Sequence, residues 1–241
     1  MKGILLGAAP KDRRYRTGRV IGAAAATVAL LGLGYVGVTW WRYGRHTSSG
    51  HPDPLLDRLM PTYEVREQHE IKVAAPAEVT DAVARELNLR GSALVRAIFR
   101  GRELVMGSKP TRREQQQNFL TEVLGLGWQM LADEPGRELV VGAATQPWEA
   151  NVVFRGLSPE EFAAFAEPGY VRIVWTLAIE PTAEDRSIFR TETRVATTDP
   201  ESRERFRRYW SFLSPGILLI RYEILRLIRG EAERRFRAAL R

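Results

Sequence analysis

The sequence predicts an α+β fold: one N-terminal transmembrane helix, then helices on one face of an antiparallel sheet, closed by a long C-terminal helix. Three observations carry this. A charge-free run, VIGAAAATVALLGLGYVGVTWW, spans Val20 to Trp41. Short segments with strand periodicity are grouped between Trp128 and Thr198, which favours antiparallel pairing over strand–helix alternation. After Asp199-Pro200-Glu201, apolar residues recur every three or four positions to the end of the chain.

The elements follow in order. Residues 1–19 form a basic arm with Lys11, Arg13, Arg14, Arg16 and Arg19. As a helix, the apolar run covers about 33 Å, the thickness of a bilayer core. Tyr35, Trp40, Trp41 and Tyr43 sit toward its end, where amphipathic rings favour the interface, so a transmembrane helix is expected over residues 20–43. The run is too long for a cleaved signal's apolar region, and Trp-Trp-Arg follows where small residues would be needed. The greater positive charge before the run predicts an N-terminus in the cytoplasm and a single-pass membrane protein whose C-terminal domain is extracytoplasmic. Gly32-Leu33-Gly34-Tyr35-Val36-Gly37 matches a dinucleotide fingerprint, with Asp57 at the expected spacing. That mechanism needs a preceding strand and a helix opened by the glycines, and a lipid-length apolar run supplies neither. Residues 44–61, with Gly, Ser, Pro and charge, read as a linker ending in a short amphipathic turn.

Residues 62–241 form the folded domain. Thr62–Val73 alternates and reads as a strand, and Pro76 opens a helix carrying Val79, Val83 and Leu87. Ser92–Met106 is a second helix, residues 108–118 a basic loop, and Phe119–Leu126 a short helix. Trp128–Asp133 and Arg137–Thr145 are strands around Glu134-Pro135-Gly136, a hairpin signal, and Glu149–Arg155 is a third. Ser158-Pro159-Glu160-Glu161 is a helix start with cap, proline and capping-box glutamate in place. Tyr170–Glu180 and Ser187–Thr198 alternate as strands; in the second, Phe189, Thr191, Thr193 and Val195 share one face and Arg190, Glu192 and Arg194 the other. In the final helix Phe206, Trp210, Leu213, Ile217, Ile220, Ile224 and Ile228 make one apolar stripe, broken by Ser214-Pro215-Gly216, where Pro215 kinks the helix.

Composition excludes several function classes. The chain has 241 residues and a net charge of +7, but residues 1–61 hold nine Lys/Arg against three Asp/Glu while the rest is close to balance. The excess lies in the arm, so no nucleic-acid partner is expected. There is no Cys and there are three His, two of them (His46 and His51) in the linker, so neither a metal site nor a thiol nucleophile is expected. His69 reads as a surface residue on an exposed strand face. No nucleophile elbow, phosphate loop or zincin motif occurs, and no cofactor is expected.

The element order, together with YEVREQHEIKVAAP (Tyr63–Pro76), GAATQPWEANVVF (Gly142–Phe154), Tyr170–Ile179, FRTETRV (Phe189–Val195) and FRRYWSFLSPGI (Phe206–Ile217), resembles the START-like superfamily, also described as the polyketide cyclase/dehydrase and lipid transport (SRPBCC) or helix-grip group. The resemblance covers about residues 60–238. It implies a curved antiparallel sheet gripping the C-terminal helix, with an apolar cavity between them that takes a lipid, quinone or polyketide-like molecule. The residues expected to line it are Trp128, Trp148, Phe154, Trp175, Phe189, Thr191, Trp210, Leu213 and Ile217. Gln146, Glu149 and Asn151 are polar groups within reach of such a cavity. Two other readings stay open: a cyclase or dehydratase of the same fold, which needs a buried acid such as Glu149 or Glu192, and a filled-core interaction module. No residue stands out as catalytic. Arg203, Arg207, Arg221, Arg229 and Arg235 of the last helix are either a face for anionic headgroups or a solvated face.

Overall fold

A computed structural model describes residue 27 and residues 30–44, 51–89, 92–107 and 118–241. It divides into two units, residues 1–41 and 42–241. In the first, residues 30–41 are helical (α1), with Leu30, Leu31, Leu33, Val38 and Trp41 exposed. The whole basic arm, the first part of the expected transmembrane helix and the expected loop at 108–118 except Asn118 lie outside the described residues. Among the described residues no helix is long and apolar enough to cross a membrane.

The second unit is α+β. Its elements run α2 (Pro54–Leu59), β1 (Val65–Val73), α3 (Ala77–Glu86), α4 (Ala93–Met106), α5 (Phe119–Gly125), β2 (Gln129–Glu134), β3 (Glu138–Thr145), β4 (Phe154–Arg155), α6 (Pro159–Ala164), β5 (Val171–Ala183), β6 (Arg186–Thr197) and α7 (Pro200–Ala239). All strand pairs are antiparallel, in the order β1-β6-β5-β3-β2, with β4 added on β3. The antiparallel sheet and the long C-terminal helix packed on it are those the sequence predicts.

The local signals act as physics requires. Ser158 accepts from the Glu161 amide and the Glu161 carboxylate accepts from the Ser158 amide, closing the capping box of α6. Asp199 caps α7, accepting from the Ser202 amide at 2.9 Å and its hydroxyl at 2.5 Å. These bonds, with another from the Gly169 amide, hold the Asp199 carboxyl well below its usual range.

Register decides which side chains share a face. Val65 stands opposite Val195, Glu67 opposite Thr193, His69 opposite Thr191 and Ile71 opposite Phe189. Continuing across the sheet, Thr193 faces Trp175 and Trp175 faces Val141. This inner face packs against α7 through two buried clusters. One joins Val73, Leu177, Ile179 and Phe189 to Leu225, Ile228 and Ala232. The other joins Val65, Val171 and Val195 to Phe206 and Trp210.

The outer face is also covered. Leu56, Leu59 and Met60 pack with Leu131, Val140, Phe162, Val174 and Ala196. Residues 51–60, part of the expected linker, therefore belong to the packed unit: Leu56 and Met60 are fully buried. A Cβ on Gly142 would come within 2.5 Å of Leu131 Cδ1 and 3.0 Å of Phe162 Cε2, so this layer closes only over a glycine.

Two expectations need correction. The strand expected at Glu149–Arg155 shrinks to Phe154–Arg155. Thr145 Oγ1 donates to the Val153 carbonyl at 2.8 Å, which ties down a loop where a ladder was expected. The expected break at Ser214-Pro215-Gly216 does not divide the helix: α7 runs on over 40 residues with Pro215 inside it. Pro215 has no N–H for the Ser211 carbonyl.

Candidate functional site

α7 lays a long stripe on the inner face, and the stripe contains a charge. Phe206, Trp210, Leu225, Ile228 and Ala232 are buried along it, and so is Arg221, 8% exposed. Ile217, Ile220 and Ile224 are partly buried beside them. Arg221 Nη1 donates to the Glu67 carbonyl of β1 at 2.8 Å, and Nη2 to Thr193 Oγ1 of β6 at 2.6 Å. Both acceptors are neutral. Among the described residues no carboxylate lies within ion-pair distance, although Glu67 and Glu192 are close enough to favour the cation. Burial dominates and pushes the guanidinium down to about 10.

Around Arg221 the inner face is polar. His69 meets Tyr222 edge to face, with ring centroids 5.1 Å apart. Its Nε2 is 3.6 Å from Glu67 Oε2, too long for a hydrogen bond, and is buried without a partner among the described residues. Trp148 Nε1, near the Phe206–Trp210 cluster, is buried and unbonded in the same sense. Thr191 is buried between His69 and β5. Exposure grades outward: the Arg221 residue is nearly covered, the His69 side chain is 17% exposed, that of Glu67 30% and Tyr222 55%. The group opens along β1, the edge strand of the sheet.

The expected lining residues fall into three places. Trp175, Phe189 and Thr191 lie on the inner face, with Trp175 and Phe189 in one cluster. Trp128 packs on Trp175 and Phe154, at centroid distances of 6.2 Å and 5.0 Å, at the β2–β3 end. Trp148, Trp210 and Ile217 gather around Phe206, with Leu213 half-buried on the same helix. They border one layer, and most of them are packed on one another. A groove of about 360 Å³ lies elsewhere, between α3 and the end of α7, lined by Glu78, Val79, Ala82, Arg235, Phe236 and Ala239. None of the expected residues lines it.

Several polar expectations change. His69, expected on an exposed face, is on the inner one, because pairing with Thr191 fixes its side. Arg221, expected to face headgroups or solvent, is buried. Arg229 and Arg235 are tied to Glu233 and to Glu231 and Glu86, and Arg203 lies 4.0 Å from Glu64. Gln146 donates to the Gly169 carbonyl at 2.8 Å, holding a loop. Glu149 is exposed on the turn after β3.

Glu192 is buried on the outer face. It accepts from Arg66 Nε and Nη2 at 2.8 and 3.1 Å, from Gln68 at 2.7 Å and from Arg194 Nε at 2.7 Å. Arg194 also holds Asp57 at 2.7 Å and the Met60 carbonyl at 3.1 Å. This network fastens residues 51–60 to the sheet, and it leaves Glu192 no role as an acid on the inner face.

Sequence reasoning missed Arg221 and His69 as members of one group. The signal was present in the strand pairing: any register that puts Val65 and Val73 on the inner face also puts Glu67 and His69 there.

No protein-family model matches the chain, and no curated protein matches it. Solved structures similar to it include the Zhui aromatase/cyclase from Streptomyces sp. R1128, at 18% identity, covering 73% of this chain and 97% of that one with a TM-score of 0.23. Norcoclaurine synthase from Thalictrum flavum, in complex with dopamine and hydroxybenzaldehyde, is 12% identical over 75% of this chain and 93% of that one, with a TM-score of 0.33. A conserved protein from Geobacillus kaustophilus is 11% identical over 70% and 96%, with a TM-score of 0.34.

Proposed function

We propose that residues 62–241 bind an apolar small molecule (a lipid, quinone or polyketide-like compound) between the sheet and α7. Val20–Trp41 would hold the domain at a membrane, on the extracytoplasmic side, close to a source of such molecules. One observation supports the reading above others. The largely apolar helix–sheet layer contains a small convergent set of polar groups, Arg221, Thr193, Thr191 and His69, of which His69 Nε2 has no hydrogen-bond partner among the described residues. Apolar walls with a few placed polar groups are the usual make-up of a small-molecule site. No catalytic role is assigned, since Glu149 is exposed and Glu192 is held by two arginines on the other face.

The test is native mass spectrometry of the affinity-purified full chain from a membrane-containing host. A stoichiometric adduct of an apolar compound, lost after solvent extraction, is the expected result. A bare protein mass, with no added lipid or quinone protecting the chain against thermal unfolding, would overturn it. That second outcome would favour the filled-core interaction module, which the close packing of Trp128, Phe154, Trp175 and Phe119 supports.

A further inference from the structure

Two arginines buried against the sheet, Arg194 of β6 and Arg221 of α7, are held in opposite ways. Arg194, on the outer face, has Glu192 and Asp57 within 2.7 Å. Arg221, on the inner face, has a backbone carbonyl and a threonine hydroxyl. Taking a guanidinium out of water is unfavourable unless an anion and hydrogen bonds replace the solvent. A guanidinium carries five N–H donors in a planar fork that matches a carboxylate with two parallel bonds. The contacts of Arg221 use Nη1 and Nη2 once each. The fork is positioned, neutral acceptors fix its plane, and the charge is not neutralised within ion-pair distance. The nearest acid on this face, Glu67, directs its carboxylate toward His69, 3.6 Å away.

Resting on the binding function proposed above, we propose that the ligand is an amphipathic carboxylic acid, whose carboxylate is held by Arg221 and whose apolar body lies along the α7 stripe beside Ile217 and Trp175. Three features agree with an acid over a neutral molecule. The charged group sits in the middle of the apolar stripe, between the Phe206–Trp210 cluster and the Leu225–Ile228 cluster, so apolar side chains flank the anchor along the helix in both directions. Thr191 and His69 stand on the neighbouring strand positions, offering a hydroxyl and an imidazole to a second carboxylate oxygen. Exposure rises from Arg221 through His69 to Glu67 and Tyr222, so the rim of the polar group along β1 is in contact with water.

The experiment compares one apolar body with and without its charge. Purified full chain on affinity beads in mild detergent is titrated with tritiated decanoate and, separately, tritiated methyl decanoate, with bare beads as background. The acid is expected to bind at least about tenfold more tightly than the ester. In Arg221→Leu the ratio of acid to ester affinity should fall to about one, and Arg221→Lys, which keeps the charge but not the fork, should retain part of the preference. Equal binding of acid and ester by the parent chain would overturn the inference and leave the binding function standing; this arm needs no variant to fold. An undiminished preference in Arg221→Leu would place the anion elsewhere and overturn the inference too. Binding of neither compound would remove both the inference and the binding function it rests on.

Discussion

The two faces of the sheet carry similar side chains used differently. On the outer face Arg66, Glu192, Arg194 and Asp57 form a closed set in which each charge meets its opposite. Burial pushes the Arg194 guanidinium down, and its bonds to Glu192 and Asp57 more than reverse this, so it ends raised. On the inner face burial lowers Arg221 and nothing reverses it. The closed set clamps residues 51–60 against the sheet and is structural. The open set has one member, Arg221, with no counter-charge within ion-pair distance, and that is where the ligand is proposed to bind.

The largest break in this comparison comes from Glu192→Ala. It leaves Arg194 buried with only Asp57 and should cost about 3–5 kcal/mol, read as a lowered midpoint in urea unfolding of the full chain. Gly142→Ala comes next. The added methyl meets Leu131 and Phe162, and overpacking of this kind costs about 1–3 kcal/mol, expected to appear first as exposure of residues 54–60 to limited proteolysis. Arg221→Leu should cost no more than about 1–2 kcal/mol, since removing the buried cation relieves its desolvation while the Glu67 carbonyl and the Thr193 hydroxyl lose a donor. A loss as large as that of Glu192→Ala would show that the inner arginine is structural and erase the contrast.

A separate probe of the outer side is its pH dependence. Burial, then the charge of Asp53 and a hydrogen bond with it, push the Glu138 carboxyl up to about 8. A carboxyl raised on folding binds its proton more tightly in the folded state. Its stabilisation is full below its ordinary value near 4.5 and is lost progressively as pH rises to about 8. Asp53 also caps α2, accepting from the Leu55 and Leu56 amides at 3.1 and 2.9 Å. Melting temperature should therefore fall across that window in the parent chain, and Glu138→Gln should flatten that part of the profile.

Much of the fold was legible because its signals are local. Ser158 with Glu161, Asp199 before Pro200, and the alternation of β5 and β6 each act within a few residues. The site was not, because it depends on register and on which side of a long helix turns inward. Counting the stripe through Ile220 and Ile224 leaves Arg221 outside it. The buried line runs instead through Ile217, Arg221 and Leu225, and the two isoleucines flank it. An apolar pattern does not reveal a charge that the fold encloses. The polar character of Glu67 and His69 likewise hid which side of β1 faces α7, and the covering of the outer face by residues 51–60 was invisible in a segment whose Gly, Ser and Pro read as a linker.

Amide hydrogen exchange of the full chain with and without decanoate tests the division between the faces most directly. Slower exchange at residues 65–73 and 213–228, with residues 54–60 unchanged, is the predicted result. Protection confined to residues 54–60, or none anywhere, would contradict it.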